Sequence, residues 1–175
     1  NKPITISLSL TTDTPNSEHD FFNSICALTL ADIPAFKEEI FKVPALDLYE
    51  DFVAHYSITN DCTRPKSMVS AICVDGRTIP YELVPEESVP GAHQIVFFFT
   101  SDFFTGRVNA SRQRLQFPEN MSERQLKQAL RKVVANIIEK EIPAVITQNK
   151  RVLKDLHTKY PHLSGYFSND TAGLL

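Results

Sequence analysis

Apolar and polar residues alternate through ITISLSL, Ile4 to Leu10, with the period of a half-buried strand. TTDTPNS then breaks the run with turn-forming residues. From Ser17 to Ala31 the spacing changes. Phe21, Phe22, Ile25, Leu28 and Leu30 fit one broad face at helical period, which predicts a helix. DIPAFKEEIF predicts a short second helix, with Asp32 as its cap and Pro34 in its first turn. DFVAHYSI, Asp51 to Ile58, reads as a strand. MVSAICVDGRTIPYELV reads as two extended arms around Asp75-Gly76, a pair suited to tight hairpins because both residues accept positive φ. HQIVFFFTSDFF is apolar without alternation and predicts a strand buried on both faces.

Ser122-Glu-Arg-Gln125 has capping-box spacing, and the helix it opens carries Leu126, Leu130, Val133, Val134, Ile137 and Ile138 on one stripe. Arg124, Lys127, Arg131 and Lys132 occupy its other face. Pro143 ends or kinks that helix, and a further one follows with Val145, Val152, Leu153 and Leu156 inward. It stops before Tyr160-Pro161, because a residue preceding proline avoids the α region. Strands and helices are thus partly segregated. This predicts an α+β fold: a mixed sheet of about four strands with helices on one face, in residues 1–142, and a helical extension in 143–175.

The 175 residues, 42% apolar and 22% charged, suffice for one substantial core. A net charge of −3 gives no global attraction to nucleic acid or anionic lipid, though local basic clusters remain. No apolar run approaches the ~20 residues that span a bilayer, and no signal-peptide layout stands at the amino end. Cys26, Cys62 and Cys73 are odd in number and lack metal-ligand spacing, so buried thiols in a cytoplasmic protein are expected. The first residue is not methionine and the last residues, AGLL, form no cap, so a piece of a larger protein is expected.

No standard catalytic motif occurs. There is no GxSxG, no HExxH and no glycine-rich phosphate loop, and His19, His55, His93, His157 and His162 are too scattered for a metal site. The chain alone is expected to be inactive. What remains is the cationic segment GRVNASRQRLQFP, 106–118, set between the most apolar strand and the capped helix. Arginine is planar, forked and always charged, so it suits a phosphate that gains charge in a transition state. An arginine supplied from a neighbouring domain is worth ~10³ to 10⁵ in rate in well-studied nucleotide hydrolases.

VNASRQRLQ, 108–116, followed by LKQALRKVVANIIEK, 126–140, resembles the middle domain of the ninety-kilodalton heat-shock chaperones, whose pattern there is roughly LNxSRExLQ and then a basic helix. VNASRQRLQFP is also similar to the VNxxRxxFxFP of bacterial GHKL-type ATPases. HYSI and SAICVDGRTI look like the strand pair of the same proteins, and the resemblance spans about residues 50–140. It implies the transducer fold seen also in gyrase B and MutL. It further implies that Arg112 reaches the terminal phosphate of ATP held with Mg²⁺ in a separate amino-terminal domain of the same chain, with Gln116 assisting. Asn109 and Arg114 fall in the same nucleotide-contacting loop, and a homodimer of the full-length protein is compatible with the family. Two departures stand out: Gln113 replaces the family glutamate, and Arg114 adds a charge able to share or take the role of Arg112.

Two other readings compete. The cations of the first long helix, with Lys150, Arg151 and Lys154, form a basic stripe for nucleic acid. Alternatively the chain is a protein-interaction module with no anion chemistry.

Overall fold

The structure, a computed structural model, describes residues 6–15, 21–28, 33–60, 65–89, 91–109, 111, 113–119 and 121–162. The chain falls into two compact units, 1–35 and 36–175. In the first, β1 (Ile6–Pro15) and β2 (Phe21–Leu28) pair antiparallel, with Ile6 opposite Leu28 and Leu10 opposite Ser24. The helix expected over Ser17–Ala31 is therefore corrected: its described core is a strand. FFNSICAL holds aromatic and β-branched residues that favour strands, and Asn23 and Ser24 compete with helical hydrogen bonds. Pairing with β1 decides between the two patterns.

The second unit is α+β. Its sheet has five strands in the order β3 (Lys37–Val43), β4 (Leu48–Asn60), β7 (His93–Ser101), β5 (Ser67–Val74), β6 (Arg77–Pro80). All neighbours are antiparallel except β5 and β7, which run parallel. The fifth strand is β3, where a helix was expected. Its burial follows a period of two: Glu39, Phe41 and Val43 turn inward while Glu38, Ile40 and Lys42 face out. A helix would have scattered those residues around its circumference, whereas an edge strand pairs with β4 and leaves Lys37, Glu38 and Lys42 exposed.

The predicted hairpin is present. Asp75 and Gly76 both adopt positive φ, 49° and 73°, and Val74 pairs with Arg77. β7 is central and well formed, but its two faces differ. Ile95, Phe97 and Phe99 are fully buried, while Val96 and Phe98 are only partly covered, Phe98 by the ring of Phe36 at 5.5 Å. Burial on both faces is thus corrected to burial on one.

That inner face carries a sequence of rings. Phe41 packs on Phe52 and Phe99, Tyr56 stacks on Phe97 at 5.6 Å, and Phe52 meets Phe103 and Phe104. Over it lies α1 (Glu123–Glu141), whose Leu126, Leu130, Val134, Ile137 and Ile138 are buried at 0–1% exposure in the same cluster. The capping box forms as the sequence predicts: Ser122 Oγ accepts from Gln125 N, and Gln125 Oε1 accepts from Ser122 N.

Polar contacts fix both ends of α1. Near its start the Tyr81 hydroxyl donates to Glu123 O, and burial raises the Tyr81 phenol so that it stays protonated. Near its end Glu141 accepts from Lys37 and Tyr56, while Lys140 donates to Glu39. α2 (Pro143–Lys159) continues from the turn at Ile142, with Pro143 at its first position. Val145 and Asn149 are buried. Val152, expected inward, is 41% exposed, because α2 leaves the core beyond Asn149.

Two outcomes follow for stability. Leu130→Ala removes a fully buried side chain beneath the sheet and should cost ~2–5 kcal/mol in denaturant unfolding, whereas Val152→Ala should stay within ~0.5 kcal/mol. The hydrogen bond from Lys37 holds Glu141 below the ordinary carboxylate range, against a smaller opposing effect of burial. A depressed carboxylate stabilises the fold above its unfolded value and loses that contribution as pH falls through the folded one. Glu141→Gln should therefore cost up to ~1 kcal/mol at pH 7 and converge on wild type as acid protonates Glu141 in the folded protein.

Candidate functional site

The cationic segment begins where β7 gives way to a 3-10 turn at Asp102–Phe104. Ser101 Oγ accepts from Phe103 N and starts that turn, which buries Phe103 and Phe104. Gly106 then takes φ 69°, a conformation that penalises a side chain even though nothing crowds the position. The reversal lays Arg107 back over the Phe103 ring, guanidinium carbon 4.0 Å from the centroid. One terminal nitrogen of Arg107 is buried with no hydrogen-bond partner among the described residues, while the guanidinium as a whole stacks on the Phe103 ring.

Beyond Arg107 the chain forms a miniature hairpin. Val108 bridges Leu115, Gln116 N donates to Arg107 O at 2.8 Å, and Asn109 N donates to Arg114 O at 3.0 Å. The tip is closed by one side chain. Asn109 Oδ1 accepts from Gln113 N at 2.8 Å and Arg114 N at 3.0 Å, and its Nδ2 donates to Ser111 Oγ at 2.7 Å. Underneath, Val108, Leu115, Phe117 and Met121 pack against the main core. Met121 N closes on Pro118 O, and the next residue is the cap of α1. The segment is thus fastened by a stack, a bridge, an asparagine clamp and four apolar anchors.

Ser111, Gln113, Arg114 and Gln116 are exposed on this base. Arg112, the residue to which the family resemblance gives the phosphate contact, lies outside the described residues, as does Ala110. Asn109, expected at the nucleotide, spends its amide inside the loop. Arg114 contributes its carbonyl to the hairpin and leaves its guanidinium exposed. Sequence reasoning missed the clamp and the Arg107 stack. The available signal was Asn-x-Ser at the loop's entry, since asparagine readily bonds backbone a few residues ahead.

A cleft of about 620 Å³ opens nearby, lined by Glu50, Asp51, Asp75, Asp102 and Thr105 among others. Its carboxylates repel polyphosphate, so it does not suit ATP. Among the described residues no cluster of His, Cys, Asp and Glu is arranged to hold a metal ion, and no helix is long and apolar enough to cross a membrane. Cys73 is a free, half-buried thiol whose pKa burial raises.

The clamp yields a direct expectation. Asn109→Ala should speed amide exchange at Gln113 and Arg114 by about fivefold to tenfold, one lost neutral hydrogen bond each, while global stability changes little. Asn109→Asp keeps the acceptor oxygen and should retain most of that protection. Residue-resolved hydrogen exchange reads both.

Comparison with protein families, with curated proteins and with solved structures gives no match to this chain.

Proposed function

We propose that this chain is the coupling domain of a GHKL-type ATPase similar to the ninety-kilodalton heat-shock chaperones. In this reading Arg112 reaches the terminal phosphate of ATP bound with Mg²⁺ in an amino-terminal domain, and Gln116 supports the contact. Arg114 is the nearest substitute cation. The observation that carries the reading is the fastening of the loop. A cationic tip mounted on a central strand and a capped helix meets the requirement that a catalytic side chain sit on a rigid base. A freely solvated connection has no need of the Asn109 clamp or the Arg107 stack. The α+β fold, with a helix across a mixed sheet, is of the class the resemblance implies.

The chemistry follows from charge. As the terminal phosphoryl group leaves, negative charge grows on its oxygens, and a guanidinium positioned there stabilises the transition state more than the ground state. Arrival of the phosphate also links two domains through one contact, so hydrolysis releases them. The chain thereby senses nucleotide and passes the state on by rigid-body movement, within a protein that is homodimeric in this reading.

The test uses a protein in which this chain is joined to its nucleotide-binding domain. Arg112→Ala should lower ATP turnover at least a hundredfold, ~2.7 kcal/mol, with little change in nucleotide affinity. Arg114→Ala should lower it less than tenfold. Equal, small effects of both substitutions, or the absence of any ATPase activity, would sink the proposal.

A further inference from the structure

β3 stands at the edge of the five-stranded sheet. One side pairs with β4, and among the described residues no strand pairs with the other. That side is open to solvent, since Lys37, Glu38, Ile40 and Lys42 are all exposed. At the middle of the strand Ile40 is an aliphatic side chain 66% exposed. The opposite edge of the sheet, β6, is short and ends in Pro80, which lacks a backbone donor. β3 is longer, and its register with β4 is regular from Lys37 to Phe41 and shifts only at Val43. Charges commonly guard an edge of this kind against pairing. Here they are ordered so that one particular strand is accepted: Glu38 and Lys42 flank Ile40 on the same outward face with opposite signs.

We propose that the outer edge of β3 pairs antiparallel with β3 of a second copy of this chain, about a two-fold axis at Ile40. In a two-fold pair every contact occurs twice, residue i of one copy against j of the other and j against i. Centred on Ile40, the pair sets Ile40 opposite Ile40, with Glu38 opposite Lys42 on both sides of it. The apolar side chain is then covered by its own copy, and the flanking charges meet their opposites. Other registers lose this. Centring on Glu39 sets Glu39 against Glu39 and Glu38 against Ile40. Centring on Phe41 sets Lys42 against Ile40, and centring on Glu38 or Lys42 sets like charges together.

Contacts inside each copy extend the pattern. His55 Nδ1 lies 3.2 Å from Glu38 Oε1, and Lys42 Nζ lies 3.5 Å from Asp51 Oδ1, both on the β4 side. The Glu38 and Lys42 side chains still keep 65% and 58% of their surface, and a carboxylate or an ammonium takes several partners at once. The pairing gives one cross-strand row in which His55 and Glu38 are followed by Lys42 and Asp51 of the second copy, base and acid alternating. Main-chain hydrogen bonds supply the attraction, and the side chains choose partner and register.

The pairing draws nothing from the nucleotide reading, and its test contains no ATP. Sedimentation equilibrium of the chain from micromolar to millimolar concentration should show a reversible monomer–dimer equilibrium, in the weak range of an interface one strand wide. Glu38→Lys and Lys42→Glu each set two like-charge pairs across the axis, and each should weaken dimerisation at least ~10-fold. Mixed in equal amounts, the two variants regain both ion pairs, and their association should return to within ~3-fold of wild type. Mixing leaves the contacts inside each copy as they were, so the recovery reads the contact between copies alone. Val69→Lys, at a β5 side chain 50% exposed, should leave dimerisation unchanged. Thermal melting confirms that each variant is folded. Four results overturn the proposal: a chain monomeric throughout, undiminished association of either charge variant, a mixture no tighter than its components, or an equal loss in Val69→Lys, which would place the contact on the face of the sheet instead of its edge.

Discussion

The contact on which the rest depends is the seating of α1 across the inner face of the sheet. Leu126, Leu130, Val134, Ile137 and Ile138 meet the rings of the central strands with almost no residual exposure. Close packing of this kind tolerates neither rotation nor sliding of the helix. Tyr81 ties down its first turn and Glu141 its last, through Lys37 and Tyr56. The helix therefore has one position, and whatever is attached to its ends inherits that position. Its cationic face, too, is fixed in direction.

The loop between β7 and α1 is the main inheritor. Its entry is set by a buried 3-10 turn and its exit by a capping box, so the ends are immobile before any contact within the loop is counted. Val108, Leu115, Phe117 and Met121 add apolar anchors, and Asn109 binds the tip to itself. Ordering a loop costs conformational entropy for each residue fixed. Here a stack, a bridge and a three-bond clamp offset that cost, and the side chains of Ser111, Gln113, Arg114 and Gln116 stay exposed.

The sequence was most legible where local signals and tertiary packing agree. The Asp-Gly turn with its two arms, the capping box at Ser122 and the stripe Leu126–Ile138 appear where they were expected. It misled where they conflict. FFNSICAL offers apolar residues at spacings that fit a helix, yet pairs with β1. DIPAFKEEIF reads as a helix through the Asp32 cap and Pro34, yet its part from Lys37 onward alternates as an edge strand beside β4. Strand pairing is a long-range event, and no window of one segment contains its partner. Val152 failed for a related reason: the periodicity continues along α2 after the helix has left the core. In the loop, the arginine-bearing motif was readable as a string. The work of Asn109 and Arg107 was not, because it depends on a hairpin closure that brings 107 beside 116 and 109 beside 114.

Rigidity of the loop is the claim from which the functional reading grows, and backbone ¹⁵N relaxation measures it directly. Order parameters for Val108, Asn109, Gln113, Arg114 and Gln116 should match those of α1, near ~0.85. Values below ~0.6 at these residues, with α1 remaining rigid, would mean that the clamp does not hold. The loop would then be a solvated connection, and the case for an arginine mounted to meet a phosphate would fail with it.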